Sequence, residues 1–119
     1  MKSRKELIAE YKQRKPRMGI FAIRNVTNGK RYVARANDLD RIWNGEKFKL
    51  DAGGHTNRDL QEDWKRCGED QFAFEILHEL QYSDDTADPK AELAELERLT
   101  IEDLQPFGEK GYNRNILSA

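Results

Sequence analysis

The dipeptide Asn28-Gly29 lies between two short runs that favour extended chain, Gly19-Ile20-Phe21-Ala22-Ile23-Arg24-Asn25 and Arg31-Tyr32-Val33-Ala34-Arg35-Ala36. Asn-Gly in that setting is the strongest short-range signal for a β-hairpin, because a type I′ turn needs positive φ at both central residues. The signal predicts a type I′ turn joining two antiparallel strands, and the rest of the fold must be arranged around that pair. A few strands are marginal without helical cover, so a third strand and helices on at least one sheet face are required.

The remaining sequence supplies both. Phe72-Ala73-Phe74-Glu75-Ile76-Leu77 reads as the third strand. Ser3 and Glu6 form a capping box that opens a basic helix through Leu7, Ile8 and Tyr11, ended by Pro16. Asn37 or Asp38 can cap a helix carrying Leu39, Ile42 and Trp43 on one face, and Gly53-Gly54 breaks it. Thr56 or Asn57 caps the next helix, where Leu60 and Trp64 stand four apart and Gly68 stops the run. Asp88-Pro89 pairs an N-cap with proline at the first helical position, predicting a last helix to about Leu104, ahead of Pro106. The expected fold is α+β: a three-stranded antiparallel sheet flanked by helices, with an extra N-terminal helix. Residues 1–17 read as a basic helical extension and 18–119 as the domain proper, with Gly111-Tyr112-Asn113 as a closing loop.

Charge divides unevenly along the chain. Residues 1–36 hold 11 Lys/Arg against 2 acids, and residues 37–119 hold 10 against 20, so a local +9 and a local −10 make up the net −1. A basic first third can track phosphates, or its charges can be satisfied by the acidic remainder within the fold. No apolar run approaches the ~20 residues of a membrane span, and the polar, basic start does not read as a signal peptide. A cytoplasmic protein is the expectation. The single cysteine, Cys67, fits a reducing compartment, and Cys67, His55 and His78 lack zinc-ligand spacing.

Two residues stand out for chemistry. On the last helix Leu93, Leu96, Leu99, Ile101 and Leu104 form an apolar stripe, and Glu97 falls inside it. A carboxylate there must be paired, hydrogen-bonded or metal-bound, or must reach water at the edge of the stripe. Tyr32 sits mid-strand beside Ala34 and Ala36, whose small side chains leave room around a phenol; it is either a core tyrosine or, with a lowered pKa, a proton-transfer group. His55, just ahead of a helix start, reads as a capping or solvent-exposed residue, while His78 reads as structural and Trp43 and Trp64 as core.

Taken together these pieces resemble one family. Gly19-Ile20-Phe21 followed by Tyr32-Val33-Ala34 resembles the two signature strands of GIY-YIG endonucleases. Asp38-Leu39, His55-x-Asn57-x-x-Leu60-Gln61-x-x-Trp64 with Gly68, Phe72-x-Phe74-x-Ile76-Leu77, Glu97-x-x-x-Ile101 with Leu104-x-Pro106, and Gly111-Tyr112-Asn113 are similar to its later segments in the same order, over roughly residues 18–113. The resemblance implies one-metal hydrolysis of DNA phosphodiesters. Glu97 would hold one Mg²⁺ or Mn²⁺, Tyr32 would help activate water, and an arginine on the first helix after the hairpin would clamp the phosphate. Asn113 matches the closing asparagine.

The sequence departs from the pattern at four places. Phe21 stands for the first signature tyrosine, Ala34 for the signature glycine, Ile42 for the helix arginine and Glu46 for a frequent histidine. Three readings follow. One is a metal-dependent nuclease in which Arg41 or Arg35 replaces the missing arginine. Another is a catalytically lapsed domain binding nucleic acid through Arg24, Lys30, Arg31 and Arg35. The third is a partner-binding module.

Overall fold

The computed structural model describes residues 3–6 and 15–114. Three strands, β1 (Gly19–Asn25), β2 (Arg31–Ala36) and β3 (Phe72–Glu79), form one antiparallel sheet in the order β2-β1-β3. Three helices follow the hairpin: α1 (Ile42–Ala52), α2 (Arg58–Cys67) and α3 (Pro89–Leu104). This is the α+β architecture that the sequence predicts.

Successive side chains of a strand point to opposite faces, and here both faces are covered. Phe21 and Ile23 of β1 meet Leu50 of α1, Leu60 and Trp64 of α2, and Tyr112, in one buried cluster. Trp43 stacks on Phe74 at 5.4 Å and Trp64 lies 5.1 Å from Phe72. The other face is aliphatic, where Ile20, Ala22 and Val33 bury Leu93 of α3 with Leu77, Leu96 and Ile101 around them. Leu77 alternates with Phe74 and Ile76 into this second cluster, at a register shift opposite Ile20 and Phe21.

Several ends follow the predicted chemistry. Asn57 accepts the Leu60 N–H at 3.0 Å to cap α2, and Asp88 accepts the Ala91 N–H at 3.0 Å to cap α3 behind Pro89. Gly53 closes α1 at φ 80°. Ser3 caps the start of the expected helix, with the Glu6 N–H donating to Ser3 Oγ at 3.2 Å, while residues 7–14 of that helix lie outside the described residues.

Other expectations need correction. The hairpin turn is not type I′: Gly29 takes φ 77°, but Asn28 is not in the left-handed region. The loop is longer, and Asn25 organises it by accepting from the Thr27 N–H (2.9 Å) and hydroxyl (2.6 Å). Neither Asn37 nor Asp38 is the N-cap of α1. Arg41 takes that place with no side-chain cap, and Asp38 accepts the Asp40 N–H in the preceding turn, where Leu39 also lies. On α3, Leu99 and Leu104 are exposed, so the stripe is narrower than drawn and runs through Leu93, Leu96, Thr100 and Ile101. No helix among the described residues is long and apolar enough to cross a membrane.

Candidate active site

Edge strand β2 organises the site. One edge pairs with β1, and the residues that face outward from the other edge are Arg31, Val33 and Arg35. An unpaired edge presents open N–H and C=O groups, and here they are taken by side chains and the closing loop. The Asn113 amide mimics a strand, with Oδ1 accepting the Val33 N–H (2.8 Å) and Nδ2 donating to the Val33 carbonyl (2.7 Å). The Tyr112 N–H donates to the Arg31 carbonyl at 2.9 Å. Two residues beyond Val33, Glu97 of α3 reaches the same edge and its Oε2 accepts the Arg35 N–H at 2.7 Å. That bond fixes the Glu97 carboxylate beside the strand that carries Tyr32.

Tyr32 alternates to the α1/α2 face. Its ring meets His55 edge-on at 5.3 Å and Phe21 at 6.4 Å. Burial pushes its pKa up to about 12, and the Glu46 and Glu97 carboxylates add to the rise. The lowered pKa expected of a proton acceptor is therefore not found; the environment holds Tyr32 as a neutral phenol.

Behind the phenol lies a pair of buried groups that the sequence reading did not join. His55 Nε2 stands 2.6 Å from Glu46 Oε2, and both side chains are nearly fully buried. The Asn57 N–H donates to His55 Nδ1 at 3.0 Å, so that nitrogen is an acceptor and the ring proton belongs on Nε2, donated to Glu46. Gln61 braces the loop, accepting the His55 N–H at 3.1 Å and donating to the Leu50 carbonyl at 2.8 Å. Histidine at 55 and glutamate at 46 stand nine residues apart across a loop, which no helical or strand period relates. The one available signal was that the family resemblance marks both positions, His55 within a matching segment and Glu46 as a departure from a frequent histidine.

A second buried network ties the closing loop to the hairpin. The Tyr112 hydroxyl donates to Asp63 Oδ2 (2.6 Å) and accepts from Asn25 Nδ2 (3.0 Å), and Arg66 pairs with Asp63. Burial and the Asp63 hydrogen bond raise Tyr112 to about 12.

A cleft of about 610 Å³ opens beside Tyr32. Its walls come from β2 (Tyr32), the start of α2 (Asn57, Arg58, Asp59) and the closing loop (Asn113, Arg114). The other expected cations lie elsewhere. Arg41 is exposed and faces Asp38 at 3.7 Å. Arg24 and Arg31, opposite one another on β1 and β2, both approach Glu75, at 3.4 and 3.0 Å. Lys30 lies over the Tyr112 ring at 5.7 Å. Arg35 alternates to the sheet face opposite Tyr32. Ile42 packs at the border of the aromatic core, as its spacing from Leu39 suggested.

For a divalent ion, the described residues hold no cluster of three or more His, Cys, Asp or Glu side chains. Glu97 can offer a hard carboxylate oxygen beyond the one bonded to Arg35. A single carboxylate suits Mg²⁺ or Mn²⁺, which keeps much of its water and takes further oxygens from a phosphate.

No family model matches the chain. Single relatives do. Over 67 residues the chain is 34% identical to intron-associated endonuclease 1 of Enterobacteria phage T4, and that match covers 56% of this chain and 27% of the relative, so the chain spans about a quarter of that protein's length. Its fold is similar to the catalytic domain of the homing endonuclease I-TevI, at 31% identity and TM-score 0.67, covering 81% of this chain and 96% of that one. A glutamate-to-alanine mutant of the same catalytic domain gives 30% identity and TM-score 0.68, with 82% and 92% covered. The chain belongs to the GIY-YIG nuclease family.

Proposed function

We propose that this chain is a divalent-metal-dependent endonuclease that hydrolyses DNA phosphodiesters. The observation that carries this reading is that Glu97 and Tyr32 are both anchored on β2, near enough for the carboxylate to act on the phenol electrostatically: Glu97 is fixed to the Arg35 N–H, and Tyr32 lines a cleft with two arginines on its walls. The family supports nuclease chemistry, and the T4 relative is named as an endonuclease.

Glu97 would hold the ion; when bound, Mg²⁺ or Mn²⁺ stabilises charge on the phosphate and on the departing oxygen. Tyr32 stays protonated at neutral pH, so its hydroxyl acts by orienting the attacking water rather than as a ready-made phenolate. The Glu46–His55 pair supports that phenol from behind, since the imidazole and phenol rings pack edge to face and both imidazole nitrogens are already engaged. His55 is on this reading a positioning residue.

The test is cleavage of labelled branched, single-stranded and duplex DNA in Mg²⁺ or Mn²⁺, comparing wild type with Glu97→Ala. Wild-type cleavage that falls at least about 100-fold in the variant is expected, the scale of losing an oriented electrostatic contact to the transition state. Unchanged cleavage in Glu97→Ala would remove Glu97 from the mechanism. No cleavage by wild type on any substrate would favour a lapsed, nucleic-acid-binding domain, the reading that the apolar Ile42 supports.

A further inference from the structure

The site has lost the helix arginine of its family, since Ile42 is packed among apolar neighbours. Phosphate chemistry still asks for a cation beside the reacting group, and a guanidinium suits it best because its planar fork matches two phosphate oxygens. Of the guanidinium groups in the described residues, two line the cleft beside Tyr32: Arg58 and Arg114. Arg24 and Arg31 converge on Glu75, Arg41 faces Asp38, and Arg17 is held by Asp40 and Glu79. Arg35 projects to the opposite sheet face.

Arg58 is the better placed of the two. It is the first residue of α2, and Asn57 ahead of it is fixed on both sides. Asn57 Oδ1 accepts the Leu60 N–H at 3.0 Å, its Nδ2 donates to the Tyr112 carbonyl at 2.7 Å, and its own N–H is bonded to His55. The stem of Arg58 thus leaves a rigid point that is tied to the same His55 that packs on Tyr32. Its side chain is exposed and makes no ion pair among the described residues. Asp59, beside it on the cleft wall, opposes an anion and sets a limit on affinity.

We propose that Arg58 supplies the phosphate-contacting guanidinium of this site, entering from the start of α2 in place of the arginine lost at Ile42. The proposal rests on the nuclease reading above and adds the residue that makes it workable. Arg58 contacts the scissile or the neighbouring phosphate across the cleft from Tyr32. Arg114 is a secondary contact from the closing loop.

The test uses the full chain and labelled branched, single-stranded and duplex DNA, with cleavage followed in Mg²⁺ or Mn²⁺ and binding followed by fluorescence anisotropy in the Glu97→Ala background. Lys65→Ala, an exposed cation further along α2, controls for loss of charge alone. Arg58→Ala is expected to slow cleavage about 100-fold or more while Lys65→Ala stays near wild type. Arg58→Lys, a point charge without the fork, should recover only part of the rate. Asp59→Asn should tighten binding. If wild type cleaves and Arg58→Ala cleaves equally well, the proposal is overturned with the nuclease reading intact. If wild type cleaves nothing, the nuclease reading has failed and Arg58 is judged by binding. Its removal should then lower the slope of log affinity against log salt by about one, as for one lost phosphate contact, and an unchanged slope overturns the proposal.

Discussion

The two faces of the sheet are built on different principles. The face under α3 is mainly aliphatic: Ile20, Ala22, Val33 and Leu93 bury one another, and the buried Thr100 hydroxyl there donates to the Leu96 carbonyl of its own helix. The face under α1 and α2 is aromatic and threaded with buried polar groups, among them Glu46, His55, Gln61, Asp63 and Asn25. Apolar packing alone can hold a helix on a sheet. Buried polar groups cost free energy unless each finds a partner, so their concentration on one face marks where the molecule has reason to keep them. That face carries Tyr32 and the cleft. Glu97 belongs to the other layer and bonds to the β2 edge, near enough to act electrostatically on Tyr32.

The largest effect should come from the strand that both faces share. A Cβ added at Gly19 would lie 2.1 Å from the His78 carbonyl oxygen and 2.8 Å from Leu39 Cδ1. The first of these is backbone of the paired strand, so relief requires the sheet to open. Gly19→Ala is expected to cost more than about 4 kcal/mol or to abolish folding, read by denaturant unfolding. A near-native midpoint would show that the start of β1 can move away from β3.

Next in size is a change that strands a charge on the polar face. His55→Ala leaves the Glu46 carboxylate buried without its partner, with an expected loss of about 3–5 kcal/mol. Leu93→Ala on the aliphatic face makes a cavity instead, with an expected loss of about 2–5 kcal/mol. The comparison is sharpened by adding Glu46→Gln to both. Removing the carboxylate removes the stranded charge, so the His55→Ala deficit should shrink in that background while the Leu93→Ala deficit should not. Equal behaviour of the two variants would mean that the polar face is held by packing alone.

A smaller effect is expected from Glu46→Gln, where the amide oxygen still accepts from His55 Nε2. A loss of about 1 kcal/mol is expected, and the variant should lower the Tyr32 pKa by removing one of the carboxylates that raise it. An absorbance titration of the phenols, with Tyr32→Phe as the subtraction, checks this.

The smallest effect is a pH dependence confined to alkaline solution. Tyr32 and Tyr112 have folded pKa values raised from 10.0 to about 12. The unfolded chain therefore releases these protons first, and their contribution to stability is complete below pH 10 and is lost as pH rises towards 12. The melting temperature should fall across that window, less steeply in Tyr32→Phe. An identical fall in the variant would assign the dependence to other groups.

Much of this was written in local sequence. The strands, the Asn57 and Asp88 caps, the Gly53 and Gly68 stops and the bounds of α3 each follow from a residue and its near neighbours, because turns, caps and alternation are short-range physics. The hairpin is an instructive miss. Asn28-Gly29 signalled a turn correctly, but the turn type was set by the Asn25 side chain, itself fixed by Tyr112 from the far end of the chain. Glu97 was legible as a carboxylate on an apolar stripe, yet that stripe included Leu99 and Leu104, which the packing leaves exposed.

By itself, the sequence determined the α+β class, the order of elements and the family to which they are similar, since each depends on periodicity and on residue types at short spacing. Only the tertiary structure decided which polar groups meet. Glu46 with His55, Glu97 with the Arg35 N–H, and Arg58 with Tyr32 across a cleft join residues from separate elements. Their partnership depends on how helices seat on a sheet, and seating depends on shape and burial summed over the whole core, which no local pattern encodes.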